Sequence, residues 1–165
     1  MASCVCVQLH LTDDQSFPFV SVSHPNITKY GAFDNSSVYT HADLSSLAAY
    51  AKQRGVWIQL ELDLPAHAAS WRGDYDFAWC SNKPNTPAVP GGGLPNPTLE
   101  STFTTLGDLY KELAPLVQSG SVAGRIHLGG DEVRTHKLKM NHPAWPEQSS
   151  ALFRHVIQTG QVHTH

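Results

Sequence analysis

Residues 56–64 read Val56-Trp57-Ile58-Gln59-Leu60-Glu61-Leu62-Asp63-Leu64, and this stretch decides the fold class of the chain. Apolar side chains occupy every second position, whereas the positions between them carry a tryptophan, a glutamine and two acids. Successive side chains of a strand point to opposite faces of a sheet. The alternation therefore predicts a buried strand whose polar face ends in Glu61 and Asp63.

Two further apolar runs predict strands on either side of this one in the chain. The first extends from Val5 to Leu11, where Cys4 and Cys6 alternate with valines and are interpreted as buried residues. The third, Arg125 to Leu128, is shorter. Helical patterns fill the intervals, and the β-α-β-α-β-α order predicts an α/β domain of parallel strands with right-handed crossovers. A length of 165 residues fits one domain, and no linker or repeat divides it.

The predicted helices carry recognisable boundary signals. Thr40 and Asp43 fit a capping box, Gly55 fits a helix stop, and the apolar stripe between them is Leu44, Leu47, Ala48 and Ala51. A second helix starts near Leu99 after an N-cap at Thr98, and Pro115 is expected to fray its last turn. Its stripe is Leu99, Phe103, Leu106, Tyr110, Leu113 and Val117. A weaker helical pattern covers residues 152–159, and residues 73–97, rich in Gly, Pro and Asn, are interpreted as a functional loop.

Acidic residues follow each predicted strand. The first run ends at Asp13-Asp14, the second carries Glu61 and Asp63, and the third leads through Gly129-Gly130 to Asp131-Glu132. The carboxyl ends of parallel strands line the binding crevice in α/β folds, so the set predicts a functional site at one rim. A structural role stays open for any single acid: Asp13 could cap a turn, and Glu61 could pair with an arginine.

Composition and charge exclude several function classes. The net charge is −3 without charge runs, which gives no electrostatic footprint for nucleic acid or an anionic membrane. No apolar stretch approaches the roughly 18 to 20 residues of a membrane span, and no signal peptide is visible after Met1. The three cysteines form neither a disulfide framework nor a zinc pattern. The triplets Asn26-Ile27-Thr28 and Asn35-Ser36-Ser37 fit the N-glycosylation pattern, which is usable only in a secreted chain.

The run His127-Leu128-Gly129-Gly130-Asp131-Glu132-Val133 resembles the signature of family-20 glycoside hydrolases, the β-N-acetylhexosaminidases. Three more segments match that family in its order: residues 9–19 resemble its second strand, residues 39–56 the next helix, and residues 61–71 its third strand and loop. The resemblance is nearly continuous over residues 5–133 and weaker over 134–165. It implies that residues 1–165 are a partial catalytic domain, a fragment of a (β/α)8 TIM barrel comprising roughly barrel units two to four. A complete barrel usually needs about 250 residues.

The resemblance also implies a mechanism, namely retaining, substrate-assisted hydrolysis of terminal β-linked N-acetylglucosamine or N-acetylgalactosamine. Glu132 would protonate the glycosidic oxygen and later accept a proton from water. Asp131 would orient the 2-acetamido group, whose oxygen attacks the anomeric carbon. The acid must stay protonated near the working pH while its neighbour stays charged.

Further residues match supporting positions of the family. His67 matches a histidine that supports the acidic pair, and Asp13 and Asp14 match a pair of which one contacts the sugar. His10 and His127 are expected to bind substrate or support the site, and Glu61 and Asp63 to make hydrogen bonds on the lumen side. No cofactor and no metal are expected. The expected partner is a glycan, glycoconjugate or chitooligosaccharide, a homodimer of the full-length protein is compatible with the family, and an upstream signal would make the protein lysosomal or secreted.

The chain departs from the family pattern at several points. Arg134 stands where family members often carry an acid, and Cys80 is expected to be unpaired because the region of its usual partner, residues 135–138, has no cysteine. The family's sugar-binding arginine would precede Met1, and the tryptophans of its acetamido pocket would follow residue 165. We therefore expect this chain alone to fold poorly and to hydrolyse little or nothing, because an open set of parallel strands leaves its edges unpaired.

Two other functions remain open at this level. The chain could be a sugar-binding or regulatory remnant that keeps the rim but not the pocket. It could also be an unrelated metal hydrolase using His10, Asp13 and His127, although no tight ligand spacing such as His-Glu-x-x-His occurs.

Overall fold

The computed structural model describes residues 5–64, 66–73, 95, 99–120 and 126–130. Two strands, β1 (Val5–His10) and β2 (Val56–Glu61), alternate with three helices, α1 (Pro25–Gly31), α2 (His41–Lys52) and α3 (Glu100–Gly120). A short 3-10 turn, Ala69–Gly73, follows β2. Cys4, Cys80, Thr98, most of the segment 73–97 and the helical pattern at 152–159 lie outside the described residues.

β2 lies between two parallel neighbours. β1 pairs with it in the register that sets Val5 opposite Val56 and His10 opposite Glu61. On one edge of β2, the carbonyl of Glu61 accepts a hydrogen bond from Leu11 N at 3.0 Å; on the other, Leu62 N donates to the carbonyl of His127 at 3.1 Å. Glu61 and His127 form a parallel bridge. The predicted parallel arrangement of the three apolar runs is confirmed for the described residues.

The core forms where α2 and α3 pack against β2 and against each other. The apolar face of the second run is buried as the alternation predicts, at Ile58, Leu60, Leu62 and Leu64. The helix α3 contributes Leu106, Leu109, Tyr110, Leu113 and Leu116. Fully burying one such aliphatic side chain stabilises a fold by about 1.5–3 kcal/mol. These side chains therefore stabilise the packing of the helices on the sheet.

The first strand is more exposed than its composition predicts. Cys6 is exposed, and Val5 and Val7 keep 53% and 45% of their surface accessible. The interpretation of Cys6 as a buried residue is therefore wrong. The main contacts of β1 among the described elements are with β2, so its amino-terminal half receives little cover from the helices. Strand propensity predicted the element correctly, but burial depends on the neighbours of a strand and not on its own pattern.

The boundary signals of α2 are confirmed. The Thr40 hydroxyl accepts a hydrogen bond from Asp43 N, the Asp43 side chain accepts one from Thr40 N, and Gly55 has φ of +70° just past the helix. Leu44, Ala48 and Ala51 are buried, whereas Leu47 is 39% exposed. Leu47 was predicted in the apolar stripe, but it lies at the edge of the buried face.

The helix α3 continues past Pro115 to Gly120, so the prediction of a frayed last turn is wrong. Proline removes the hydrogen bond to the carbonyl four residues earlier, which is that of Lys111. Both Pro115 and Lys111 are exposed, so water can satisfy that carbonyl. The buried residues Leu113 and Leu116 on the opposite face hold the helix in place.

The helix α1 was not predicted, because its seven residues carry no apolar stripe and its N-cap, His24, makes no side-chain capping hydrogen bond. Tertiary contacts hold it instead. The Thr28 hydroxyl donates to the carbonyl of Phe19 at 2.6 Å and accepts from Ser21 N at 3.0 Å. Phe19 and Ile27 are fully buried beside this hydroxyl. The short helix therefore depends on packing rather than on intrinsic propensity.

Glu112 of α3 ties the segment before α1 to the core. Its carboxylate accepts hydrogen bonds from Ser21 Oγ at 3.0 Å, Val22 N at 2.9 Å, and Ser23 N at 2.7 Å, and also from Ser23 Oγ. His41 Nε2, at the start of α2, lies 3.5 Å away. Burial by itself would raise the pKa of Glu112, but these hydrogen bonds outweigh it and lower the pKa below its ordinary value.

Replacing this carboxylate is expected to destabilise the fold. Glu112→Gln turns one acceptor oxygen into a donor that faces N–H groups, and the loss of charged hydrogen bonds should lower the free energy of unfolding by about 1–3 kcal/mol. A lowered pKa in the folded state adds stability above the unfolded-state pKa, so the wild-type advantage should decline as the pH falls below the ordinary value of 4.5. Urea denaturation at several pH values measures both effects. The control is Glu100→Gln, which is exposed on the same helix, and an equal loss in both variants would contradict the role of Glu112.

Candidate active site

The acids predicted at the strand ends gather beside one another where the described strands end. Asp13 and Asp14 follow β1, Asp63 follows β2, and Gly129-Gly130 follow the third run. Asp131 and Glu132, the predicted catalytic pair, lie outside the described residues. The structure therefore describes the site up to Gly130, the residue directly before the pair.

His67 bridges the ends of the two strands. Its Nδ1 lies 3.3 Å from Asp13 Oδ1, and its Nε2 lies 3.6 Å from Asp63 Oδ2. The φ of His67 is +53°, a left-handed conformation that non-glycine residues seldom adopt. Burial alone would lower the pKa of His67, but the hydrogen bond with Asp13 and the charges of Asp63, Asp13 and Asp14 outweigh it and raise the pKa above 6.5. The surrounding carboxylates therefore favour the charged imidazolium.

Asp63 is the most buried acid of the site, with 0% of its surface exposed. Its Oδ1 accepts a hydrogen bond from Gly130 N at 2.7 Å, and its Oδ2 lies 3.5 Å from His10 Nε2. The rings of His10 and His67 meet edge to face with centroids 5.7 Å apart. A buried carboxylate is costly unless donors surround it, so Asp63 holds both imidazoles and the Gly130 amide at fixed positions.

The two glycines make this approach of the chain to Asp63 feasible. Gly129 has φ of +64° and Gly130 has φ of +106°, both in the region that favours glycine. A Cβ at position 129 would overlap the Asp63 side chain and lie 2.5 Å from Asp63 Cα. Glycine at these two positions therefore permits an approach and a backbone conformation that a side chain would prevent.

Glu61 makes a second link between strands. Gln8 Nε2 donates to Glu61 Oε2 at 2.5 Å, and His127 Nδ1 lies 2.7 Å from Glu61 Oε1. The partners of Glu61 among the described residues are thus an amide on β1 and an imidazole on the third run, not an arginine. The expectation that Glu61 and Asp63 make hydrogen bonds on this face is confirmed. His127 therefore pairs with Glu61.

Asp13 and Asp14, which the sequence could not tell apart, have different surroundings. Asp14 Oδ1 accepts from Ala69 N at 3.1 Å, which fastens it to the 3-10 turn. Asp13 reaches His67, and its side chain remains 47% exposed. The Asp13 carbonyl accepts from Ser70 Oγ at 2.6 Å, and Asp13 Oδ1 also accepts from Asp14 N at 2.7 Å. Asp13 therefore has the carboxylate that is open to a ligand, and it also closes the local turn.

A cleft of about 630 Å³ opens beside Asp13. Its polar lining includes His10, Asp13 and Gln15, and its apolar lining includes Phe33 and Tyr39. The remaining lining residues are Ser16, Pro18, Ser36, Ser37 and Val38. Carboxylate and imidazole groups beside aromatic rings suit a ligand with hydroxyl groups and an apolar face.

The described residues also bear on the metal-hydrolase alternative. No group of at least three His, Cys, Asp or Glu side chains among them is arranged to hold a metal ion. His10 and Asp13 share the cleft, but His127 pairs with Glu61.

Within the described part of the chain, no helix is both long and apolar enough to cross a bilayer.

Sequence reasoning missed several contributors to this site. Gln8 and Ser70 donate to Glu61 and to the Asp13 carbonyl, and Tyr110 of α3 is buried near Asp63. Burial, together with the charge of Asp63, raises the pKa of the Tyr110 hydroxyl and keeps it neutral. The only available signal was the position of Gln8 on the same strand face as His10. Ser70 and Tyr110 depend on contacts between distant segments.

Carboxylates at the carboxyl ends of parallel strands, beside a polar and aromatic cleft, form the arrangement of a barrel-type glycosidase domain. The catalytic-domain model of glycosyl hydrolase family 20 matches residues 5–153, and the chain belongs to this family. The resemblance inferred from the sequence motifs is confirmed, and the match extends beyond Val133.

Known proteins support the same assignment. Human β-hexosaminidase subunit beta is 36% identical over 126 residues, covering 75% of this chain and 22% of that protein. The chitooligosaccharidolytic β-N-acetylglucosaminidase of Ostrinia furnacalis is 36% identical over 128 residues, covering 75% of this chain and 21% of that protein. The X-ray structure of Flavobacterium johnsoniae chitobiase aligns with a TM-score of 0.75 at 21% identity, covering 96% of this chain and 25% of that chain.

The chain thus spans about a fifth of the length of the curated relatives it matches. Its structural neighbours are family-20 enzymes with barrel-like folds. They confirm the predicted barrel class of the fold, without identifying which units of the barrel this chain supplies.

The raised pKa of His67 can be tested directly. Asp13→Asn replaces a charged acceptor with a neutral amide, so it weakens the hydrogen bond, removes one negative charge and should lower the pKa of His67. Asp14→Asn removes only a weaker Coulombic contribution and should lower that pKa less. An NMR titration of the His67 ring protons measures both shifts. A group with a raised pKa stabilises the fold below its unfolded-state value of 6.5 and loses that contribution as the pH rises through the folded-state pKa. Equal shifts in the two variants would contradict the assigned geometry.

Gly129→Ala should disrupt the site. The new methyl group overlaps Asp63 and the backbone has positive φ, so the free energy of unfolding should fall by about 2 kcal/mol or more, and hydrogen exchange at the Gly130 amide should accelerate. The control is Gly107→Ala in α3, where nothing lies within 4 Å of an added Cβ. That change should stabilise the helix by about 0.5–1 kcal/mol. A Gly129→Ala protein with unchanged Gly130 exchange would refute the close approach to Asp63.

Proposed function

We propose that this chain carries the acid/base segment of a β-N-acetylhexosaminidase active site, with Glu132 as the general acid/base and Asp131 as the residue that orients the 2-acetamido group. The single observation that carries the proposal is the hydrogen bond of 2.7 Å from Gly130 N to Asp63 Oδ1. It anchors the chain immediately before Asp131-Glu132 to a buried acid at the end of β2. Residues that follow such an anchor begin at the rim where substrate binds in barrel enzymes.

The proposed reaction is retaining hydrolysis without an enzyme nucleophile. Glu132 donates a proton to the glycosidic oxygen while the substrate's own acetamido oxygen attacks the anomeric carbon. The bond from that carbon to the glycosidic oxygen breaks, and the rest of the substrate leaves as an alcohol. Glu132 then accepts a proton from the water that opens the cyclic intermediate. Asp131 accepts a hydrogen bond from the acetamido N–H. It also stabilises the positive charge on the oxazolinium ring that forms when the acetamido oxygen attacks.

The described residues would support this pair. His67 lies between Asp13 and Asp63. It is proposed to hold the ends of β1 and β2 in position next to Asp131 and Glu132. The exposed carboxylate of Asp13 is proposed to contact sugar hydroxyls, with Asp14 fastened to the 3-10 turn. His10 would add to the polar wall of the cleft, and His127 would hold the third run to Glu61.

The proposed substrates are chains that end in β-linked N-acetylglucosamine or N-acetylgalactosamine. Relatives are named as β-hexosaminidases and as a chitooligosaccharidolytic β-N-acetylglucosaminidase, which favours glycans, glycoconjugates or chitooligosaccharides. The chain is proposed to supply roughly barrel units two to four of the catalytic domain. A homodimer of the full-length protein and a lysosomal or secreted location also remain proposals, which rest on the family alone.

The second candidate is a sugar-binding or regulatory remnant. It is favoured by the carboxylate of Asp13, which is 47% exposed and lines the cleft, so that it could bind a sugar without taking part in hydrolysis. In this case the described residues would bind a sugar without turning it over. The two candidates differ in whether Glu132 affects turnover or only binding.

The first experiment assays the 165-residue chain with a chromogenic N-acetylglucosaminide. We expect little or no turnover, because parallel strands with unpaired edges do not enclose a dry pocket. Robust turnover that disappears in Glu132→Gln would overturn the expected inactivity and support the catalytic role.

The second experiment places the segment in a complete barrel. The part of human β-hexosaminidase subunit beta that matches over 126 residues is replaced by the corresponding part of this chain. In this chimera, Glu132→Gln should lower kcat/KM by about 10²–10⁴ for a poor leaving group and by less for an activated aryl leaving group. Asp131→Asn should lower the rate for both, since it acts at the acetamido group. Glu100→Gln is the control, and a folded chimera that binds sugar but lacks turnover would favour the sugar-binding remnant.

A further inference from the structure

The exposed ring of Phe33 directly precedes a turn that presents an exposed asparagine, Asn35. Phe33 keeps 74% of its surface accessible, and Asn35 is exposed in the turn that follows. Ser37 N donates to the carbonyl of Asp34 at 3.2 Å and closes this turn with Asn35 as its second residue. The triplet Asn35-Ser36-Ser37 has the pattern of an N-glycosylation acceptor.

The turn is held by its own side chains. Asp34 Oδ1 accepts from Ser36 N at 2.7 Å, Ser36 Oγ at 2.6 Å and Ser37 N at 2.8 Å. Its Oδ2 accepts from Ser37 Oγ at 2.9 Å. These hydrogen bonds, led by those from the Ser36 and Ser37 hydroxyls, lower the pKa of Asp34 to about 2. The turn therefore keeps its shape over the physiological pH range while Asn35 stays accessible.

We propose that Asn35 is an N-glycosylation site and that the first N-acetylglucosamine of its glycan packs on the ring of Phe33. The C–H groups on one face of the sugar carry partial positive charge, and the face of an aromatic ring carries partial negative charge. Stacking would cover a ring that the protein itself leaves largely exposed. The inference is independent of the proposed hydrolysis, since it concerns the chain as an acceptor and not as a catalyst.

The modification is a glycosyl transfer from a polyprenyl-diphosphate-linked oligosaccharide. The amide nitrogen of Asn35 forms a bond to the anomeric carbon of the donor sugar, the bond from that carbon to the diphosphate oxygen breaks, and the amide loses one proton. No oxidation or reduction takes place. The donor and its transferase are supplied by the secretory compartment of a eukaryotic cell.

The other triplet, Asn26-Ile27-Thr28, lacks these features. The ring two residues before Asn26 is His24, whose Nε2 lies 3.3 Å from Asp108 Oδ2 and is only partly exposed. The Thr28 hydroxyl is buried between Phe19 and Ser21. Asn26 therefore offers no open aromatic face to a sugar, and it serves as the matched comparison for Asn35.

The glycan would lie at the rim of the cleft described above. Phe33, Ser36 and Ser37 line that cleft together with Asp13. A sugar on Phe33 would therefore narrow this cleft. The same ring could stack a free N-acetylglucosamine from solution, so the experiment must distinguish a linked sugar from a free one.

The first test directs the whole chain into the secretory pathway of a eukaryotic host behind a cleavable signal. The chain is recovered from cells and medium, and its mass is measured before and after amidase deglycosylation. We expect a glycopeptide that contains Asn35, with the linked asparagine converted to aspartate by the amidase and the modification absent from Asn35→Gln. Asn26→Gln controls for occupancy of the other triplet and should leave the Asn35 glycopeptide unchanged. An unmodified Asn35 in the recovered chain would overturn the proposal.

The second test examines the stacking, using chains trimmed to a single N-acetylglucosamine. We expect cleavage in the turn by a protease to be about three- to tenfold slower with the sugar than without it, as a contact worth an aromatic pair implies. The protection should be lost in Phe33→Ser and kept in Tyr50→Ser, an exposed aromatic on α2. Equal protection in Phe33→Ser would overturn the stacking. Phe33 ring resonances that shift equally on addition of free N-acetylglucosamine to the glycosylated and to the unmodified chain would also overturn it, because the linked sugar would then leave the ring open to a free saccharide.

Discussion

Asp63 is fully buried at the end of β2, where a carboxylate is tolerated only when hydrogen-bond donors surround it. The Gly130 amide donates a hydrogen bond to Asp63 Oδ1, and the imidazoles of His67 and His10 lie at ion-pair distances of 3.6 and 3.5 Å from Oδ2, so that three separate segments of the chain converge on this carboxylate. Each of them is thereby held at a set distance from the others. The constraint also explains Gly129, because no side chain fits between its backbone and Asp63. The positions of His10, His67 and the Gly130 amide therefore depend on this one buried carboxylate.

The core determines where that charge can lie. Leu62 and Leu64 flank Asp63 in sequence and are both buried against the helices, so the polar face of β2 is turned to the opposite side. Helix α3 packs against both α2 and β2. Its residue Glu112 joins α3 to the segment before α1 through the hydrogen bond from Ser21 Oγ. The loop after β1 consequently has a fixed path, which brings Asp13 to His67 and leaves its carboxylate half exposed. Stability and site geometry share the same contacts.

The electrostatic character of the rim follows from its composition. Asp13, Asp14 and Asp63 surround His67, and together they raise its pKa against the effect of burial. A charged imidazolium among carboxylates reduces their mutual repulsion, which permits several acids to remain close together. Family membership gives this arrangement its biochemical context, that of a glycosyl hydrolase catalytic domain. The proposed division between Glu132 and Asp131 requires such a balance, with one group protonated and its neighbour charged.

The sequence by itself determined the features that depend on neighbours a few residues apart. The alternation of residues 56–64, the capping box of Thr40 and Asp43, and the positive φ at Gly129 were all predictable, because period, capping and glycine conformation are local properties. Tertiary structure alone decided that Asp13 rather than Asp14 reaches His67, that Cys6 is exposed, and that Glu112 holds Ser21. The partners in these contacts lie 54 residues apart for His67 and Asp13, and 91 for Ser21 and Glu112. Local propensity carries no information about such distant partners, so only the packing of the helices on β2 could select them.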